Sequence, residues 1–185
     1  MKKEYRSVIR TKKRIKQAFL ELLDEKKEIG LISIADLAER ADIAKSTFYN
    51  HYEDIYSVAE EFENELIQNL SDVLEKIEAE QTIQYEVYLR KIVDFLKSNE
   101  EIYRKAIGSS AARFFIEKLK SILSKKMFYE NETLPFSLNT AERYVQIRFL
   151  TNACVDTMVD YFKGTLDPSL EEVGEIILNL LQRLQ

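Results

Sequence analysis

With only four Gly and two Pro in 185 residues, and with Glu, Lys, Leu, Ile and Ala abundant, this chain favours helix over sheet. It is long enough for one large domain or two unequal helical lobes. Its net charge of -5 is uneven, because residues 1–52 carry 12 Lys/Arg against 8 Asp/Glu and the remainder 15 against 24, so the N-terminal part is the one suited to a polyanion. A single cysteine, Cys154, excludes an intrachain disulfide framework and a Cys-rich metal centre, and the lack of a signal-type or 18-residue apolar run leads to the expectation of a soluble, cytoplasmic chain with no membrane role.

Residues 1–10 are basic and lack a firm period, so they are predicted to form an arm leading into a helix. Thr11 suits the start of that helix, which is expected to run to about Glu28 and to be stopped by Gly30. Ile15, Ala18, Phe19, Leu22 and Leu23 make its apolar face. Lys12, Lys13, Arg14 and Lys16 crowd its first turns, where the helix dipole disfavours cations. That placement suits a phosphate partner; the alternative is an ordinary solvated face.

The stretch Ser33–Tyr52 reads as two short helices joined by a tight turn. Ser33 and Asp36 form an approximate capping box, and Ile34, Leu37 and Ala38 form a helical stripe. The pattern breaks at Ala41-Asp42, where Asp can hold a turn, and Ile43 plugs it. A second helix from about Lys45 turns Phe48 and Tyr52 inward, leaving Lys45, Ser46, Thr47, Tyr49, Asn50 and His51 on its other faces. Small polar, amide, phenol and cationic groups on a narrow helix are what a major groove requires.

On Ile34, Leu37, Ala38, Ala41, Ile43, Ser46-Thr47-Phe48-Tyr49, His51-Tyr52 and Asp54, this stretch resembles the helix-turn-helix of the TetR (tetracycline repressor) family. Three positions depart from that pattern. Asp42 stands where Gly is usual, Ala44 where a capping Ser is usual, and Ile55 where a Lys often opens the next helix. The resemblance implies that Lys45, Ser46, Tyr49 and Asn50 face base edges of double-stranded DNA. It also implies that Ser33, Thr47 and His51 meet phosphates, with Lys12 and Lys13 as outer contacts, over a near-palindromic operator.

Asp54 can cap a long helix from Ile55 to about Ala79, with Val58, Phe62, Leu66, Leu70, Val73 and Ile77 at helical spacing. Further helices are expected from Ile83 to Lys97, from Glu100 to Ile107 (ended by Gly108-Ser109-Ser110) and from Ala111 to Phe128. A loop containing Pro135 is expected over 131–138. A helix from Thr140 to Phe162 carries two apolar stripes: Tyr144, Ile147, Leu150, Cys154, Met158 and Tyr161 on one, and Val145, Phe149 and Ala153 on the other. It therefore needs cover on two sides. Asp167 and Pro168 suit the start of a last helix carrying Leu170, Val173, Ile176, Ile177, Leu180, Leu181 and Leu184.

The expected fold is all-α with about nine helices. A three-helix DNA-binding domain is assigned to 1–54, and a helical effector-binding and dimerisation domain to 55–185. The second part resembles, more weakly, the C-terminal domain of the family and a subgroup that includes dihydroxyacetone-kinase regulators. By that resemblance the last two helices form a four-helix bundle with a second copy, through Leu150, Cys154, Met158, Tyr161, Val173, Ile177, Leu180 and Leu181. Phe95, Tyr103, Phe114, Phe115 and Phe149 are candidates for an apolar effector pocket, the alternative being plain core.

No phosphate loop, nucleophile elbow or zinc-protease motif is present. The only histidine, His51, lies in the second short helix, so no catalytic residue, metal or cofactor is expected. The leading reading is a homodimeric, sequence-specific transcription regulator, taken as a repressor released by a small-molecule or protein effector. The alternative from another class is a helical interaction module, or a coactivator-dependent activator without a small ligand. Asp42, Ala44 and Ile55 are the support for a loss of DNA binding.

Overall fold

The computed structural model describes residues 2–79, 85–108, 112–129, 136–137 and 139–183. The expected helix starts at Ile83 and Ala111, the break at Ser109-Ser110, the loop residue Pro135 and the apolar Leu184 lie outside the described residues. Nine α-helices and no strand occur among them: α1 (Lys2–Lys26), α2 (Ile34–Arg40), α3 (Lys45–Tyr49), α4 (Ile55–Ala79), α5 (Tyr85–Ser98), α6 (Glu100–Ile107), α7 (Ala112–Leu123), α8 (Thr140–Phe162) and α9 (Leu170–Gln182). A single 3-10 turn, Ile29–Leu31, follows α1, and a π-helical segment, Ser124–Tyr129, continues α7.

By contacts the chain divides into two units, Met1–Leu66 with Lys105–Ala112, and Ile67–Arg104 with Arg113–Gln185. In the first, Ile15, Phe19, Leu37, Phe48 and Val58 are almost wholly buried. The Phe19 and Phe62 rings meet edge to face at 6.3 Å. In the second, α9 packs on α5 and α8, and Tyr103, Leu74, Ile77, Phe115, Ile147 and Leu170 are fully buried.

Local chemistry fixes several boundaries away from the expected ones. Residues 2–10 continue α1 instead of forming an arm. The helix ends at Lys26, ahead of Gly30, because Lys27 adopts a left-handed φ of 59°. The start of α9 is set by Ser169, whose hydroxyl accepts from the Glu172 amide while Glu172 accepts from the Ser169 amide. Asp167 and Pro168 therefore precede the helix without capping it. Asn139 caps α8 by accepting from Ala141 and Glu142. Asp54 accepts from the Ser57 amide and hydroxyl ahead of α4, at 2.7 and 2.8 Å.

At the other end of α8, Arg104 donates to the carbonyls of Tyr161 and Phe162 at 3.4 and 3.2 Å, satisfying acceptors that the last helical turn leaves open. Glu100 joins this group, accepting from Tyr161 Oη and from Arg104, each at 2.7 Å.

Candidate nucleic-acid interface

The capping box that opens α2 is complete. The Asp36 amide donates to Ser33 Oγ at 3.1 Å and the Ser33 amide to Asp36 at 3.4 Å. Lys26 then donates to the same Asp36 carboxylate at 2.5 Å, tying α2 to the end of α1. The hydrogen bond from Lys26, followed by those from Ser33, holds the Asp36 carboxyl below its ordinary range. Arg40, at the far end of α2, makes a two-pronged bond to Glu25 at 2.8 and 3.0 Å. These two cations are consumed in setting the angle between α1 and α2.

The turn between α2 and α3 depends on Asp42, whose φ is 50°. Glycine takes that conformation without strain, and Asp more readily than most other residues. Arg14 donates to both the backbone oxygen and a carboxylate oxygen of Asp42, each at 2.7 Å. Ile43 then returns its amide to the Ala38 carbonyl at 3.0 Å, closing the turn.

The second helix of the motif, α3, is five residues long, and its cap position, Ala44, makes no side-chain hydrogen bond. Phe48 is wholly buried and Tyr52 is 5% exposed, their ring centroids 5.9 Å apart. Those two aromatics anchor the helix and turn Lys45, Ser46, Tyr49 and Asn50 to solvent, with Tyr49 59% exposed. Thr47 and His51 are half-buried at the flank, and Ser33 is exposed at the start of α2. The sequence-predicted contact residues of the motif thus share an accessible surface.

Lys12 and Lys13 part company. Lys12 donates to Glu61 at 2.6 Å and lies over the Tyr52 ring at 5.0 Å. Lys16 reaches Glu61 at 3.4 Å and bonds Glu65 as well. Burial pushes the Glu61 carboxyl up, but the hydrogen bond and charge of Lys12, with those of Lys16, bring it below its ordinary value. Burial and the neighbouring Glu61 charge keep the Tyr52 phenol protonated far above its ordinary range. Lys12 is therefore a clamp between α1, Tyr52 and α4. Lys13 is exposed, and with Arg10 and Arg14 it borders a groove of about 330 Å3 that reaches Asp42. Sequence reasoning did not single out Arg10 as a contact or Arg14 as a clamp. Arg14 and Asp42 are 28 positions apart, and only the fold brings them together.

Of the residues expected to form an effector pocket, three pack together and one lies apart. Tyr103 and Phe115 are each 1% exposed and pack ring to ring at 6.2 Å, with Phe95 and Phe162 at 5.9 and 6.1 Å from Tyr103. Phe149 is 71% exposed and belongs to no such cluster. The side chain of Phe114 lies outside those described.

The residues expected to meet a second copy also divide. Tyr161, Val173, Ile177 and Leu181 are buried within the single chain, while Leu150, Cys154 and Met158 are half-buried. Of that set only Leu180 is well exposed, at 56%. The inward stripe of α8 runs through Ile147, Thr151, Val155, Val159 and Phe162. Tyr144, Val145 and Phe149 on α8, and Ile176 and Leu180 on α9, are large hydrophobic side chains left facing solvent. Burial raises the Cys154 thiol to about 11, which leaves it a poor nucleophile. Among the described residues no cluster of His, Cys, Asp and Glu could hold a metal ion, and no helix is long and apolar enough to cross a membrane.

Residues 83–183 match a family profile described as the transcriptional regulator C-terminal region, of TetR type. Over 177 residues the chain is 25% identical to the HTH-type dhaKLM operon transcriptional activator DhaS of Lactococcus lactis, covering 92% of this chain and 88% of that protein. A stretch of 47 residues is 40% identical to an uncharacterized HTH-type transcriptional regulator, YxbF of Bacillus subtilis, covering 25% of this chain and only 12% of that protein.

Among solved structures, a dihydroxyacetone kinase operon activator DhaS superposes with a TM-score of 0.65 at 22% identity, covering 94% of each chain. A TetR transcriptional regulator from Streptococcus agalactiae superposes with a TM-score of 0.64 at 21% identity, covering 96% of this chain and 97% of that one. At such identities the two structures establish the all-α fold.

Proposed function

Since the chain belongs to the TetR family of transcriptional regulators, we propose that it reads duplex DNA through α3, as a homodimer on a near-palindromic operator. The supporting observation is the anchoring of α3 by buried Phe48 and Tyr52, which leaves Lys45, Ser46, Tyr49 and Asn50 together on its exposed side. Lys45 pairs with guanine O6/N7 and Asn50 with adenine, each contact discriminating by about 1–3 kcal/mol. Ser33, Thr47, His51 and Lys13 meet phosphates. Lys12 acts indirectly, by fixing α1 against α4.

The functional division falls at residues 54/55: reading on one side, dimerisation and effector response on the other. The second copy docks on the exposed Val145, Phe149, Ile176 and Leu180, with half-buried Leu150, Cys154 and Met158 at its margin. An effector acts by binding unequally to two arrangements of the dimer, only one of which matches successive grooves. Operator occupancy represses by blocking the promoter. The Lactococcus lactis relative aligned over 92% of this chain is named an activator, which favours a second reading, activation. Transcription in vitro from an operator-bearing promoter separates the two by the sign of the change.

Binding measured against salt tests the contact assignment. Lys13→Ala is expected to weaken binding to all sequences alike and to lower the slope of log K against log salt by about 1. Lys45→Ala is expected to relax preference at one base pair per half-site. Unchanged preference in the Lys45 variant would remove α3 as the reader.

A further inference from the structure

A cleft of about 380 Å3 opens in the second unit between α7, the π-helical segment and the first half of α8. Glu117, Lys120, Ser121, Ser124 and Lys125 line one wall; Tyr144, Arg148, Thr151 and Asn152 line the other. The volume lies in the range of small-molecule sites, but the lining is polar and carries three cations against one carboxylate.

The α8 wall is the informative one. Tyr144, Arg148, Thr151 and Val155 recur at helical spacing, and along them the helix passes from exposed Tyr144 and Arg148 to buried Thr151 and Val155. A buried hydroxyl one turn from an exposed cation at the rim of a cleft needs a reason. Arg148 lies over the Tyr144 ring at 6.0 Å and has no ion pair among the described residues. Thr151 is 3% exposed, and its Oγ1 has no hydrogen-bond partner among the described residues. A helical threonine ordinarily bonds the carbonyl four residues back, as Thr157 of the same helix does to Ala153 at 2.7 Å.

A buried hydroxyl left unpaired costs stability, and the cost is removed when a ligand takes the bond. Opposite, Lys120 pairs with Asp156 at 2.8 Å and with Glu117 at 3.8 Å, which set its ammonium in place at the wall. The segment after α7 is π-helical, a geometry frequent at functional sites.

We infer that this cleft binds a small dianion, a phosphate monoester or a compact dicarboxylate, with Arg148 and Lys120 neutralising the charge and Thr151 Oγ1 bonding an oxygen. The inference concerns ligand binding alone and stands whether or not the chain reads DNA. Calorimetric titration of the full chain at fixed ionic strength tests it, with glycerol 3-phosphate and succinate as the two anionic probes and glycerol as the neutral control.

One of the anions is expected to bind saturably, one per chain, and glycerol is not. Which anion binds identifies the headgroup. Arg148→Met is expected to weaken that binding roughly tenfold or more, by loss of a charged hydrogen bond. Thr151→Val, which keeps the side-chain shape, is expected to weaken binding while raising the melting temperature of the ligand-free chain. No saturable binding of either anion, or binding unaltered in both variants, would overturn the inference. So would a ligand-free Thr151→Val chain less stable than its parent, since the hydroxyl would then have a partner within the fold.

Discussion

At the scale of single residues, the fold turns on Asp42. It occupies a left-handed conformation, φ 50°, with Arg14 bonded to its carbonyl and carboxylate. Its side chain is 97% exposed, so the ion pair itself contributes little. What matters is the backbone angle and the bond to the carbonyl oxygen. Asp42→Gly is therefore expected to change the melting temperature by no more than a few degrees, whereas Asp42→Val should destabilise the unit by about 1–2 kcal/mol, since a β-branched residue resists that angle. Thermal unfolding of both variants checks the ordering. The unusual angle at Asp42 was legible in the sequence, because Asp stands where the family pattern has Gly. Its clamp was not, and neither was the diversion of Lys12 to Glu61, 49 positions away. A cluster of lysines shows where charge accumulates, but the fold decides which of them is spent on a partner.

At the scale of elements, helical periodicity placed most helices well. The bounds of α4, α6 and α8 agree with those expected from the sequence. Periodicity was less informative at the ends, where single caps decide. Lys27 ends α1 through a left-handed angle that no pattern announces, and Ser169 rather than Asp167 opens α9. It also left α8 ambiguous, because two apolar stripes on one helix do not say which faces inward. The stripe of Val145 and Phe149 is the outward one.

Packing of α9 on α5 turns on Gly174, where an added Cβ would stand 2.7 Å from Val93 Cγ2. Valine is stiff and cannot swing aside. Gly174→Ala should thus cost roughly 1–3 kcal/mol, and Val93→Ala in the same chain should recover part of it. Chemical denaturation of the four-member cycle measures the coupling.

The end of α8 is expected to respond to pH. The hydrogen bond from Tyr161, then that from Arg104, hold the Glu100 carboxyl below its ordinary 4.5. A carboxyl lowered by folding contributes stability that is complete above the ordinary value and lost as pH falls through the lowered one. The stability difference between the parent chain and Glu100→Gln should therefore be present at neutral pH and shrink in acid. A difference independent of pH would place the effect elsewhere.

At the scale of the whole molecule, a reader of two half-sites requires two copies held at a fixed separation. On the proposed reading, the second copy docks on the exposed apolar residues of α8 and α9. Phe149→Glu and Leu180→Glu together should shift the chain from dimer to monomer in sedimentation and cost operator affinity, while helical content stays unchanged because both side chains already face solvent.

The all-α class and the helix-turn-helix were legible because each rests on local pattern. Which side chains of α8 and α9 the single chain itself buries was not legible, since a buried stripe and an interface stripe have the same composition. The most direct measurement is selection of bound duplexes from a random DNA library, followed by titration of the selected site. The account predicts a near-palindromic site occupied by two chains, with half-site centres about 34–36 Å apart or a multiple of it, and an affinity falling steeply with salt. Recovery of no sequence bound better than random duplex would contradict it.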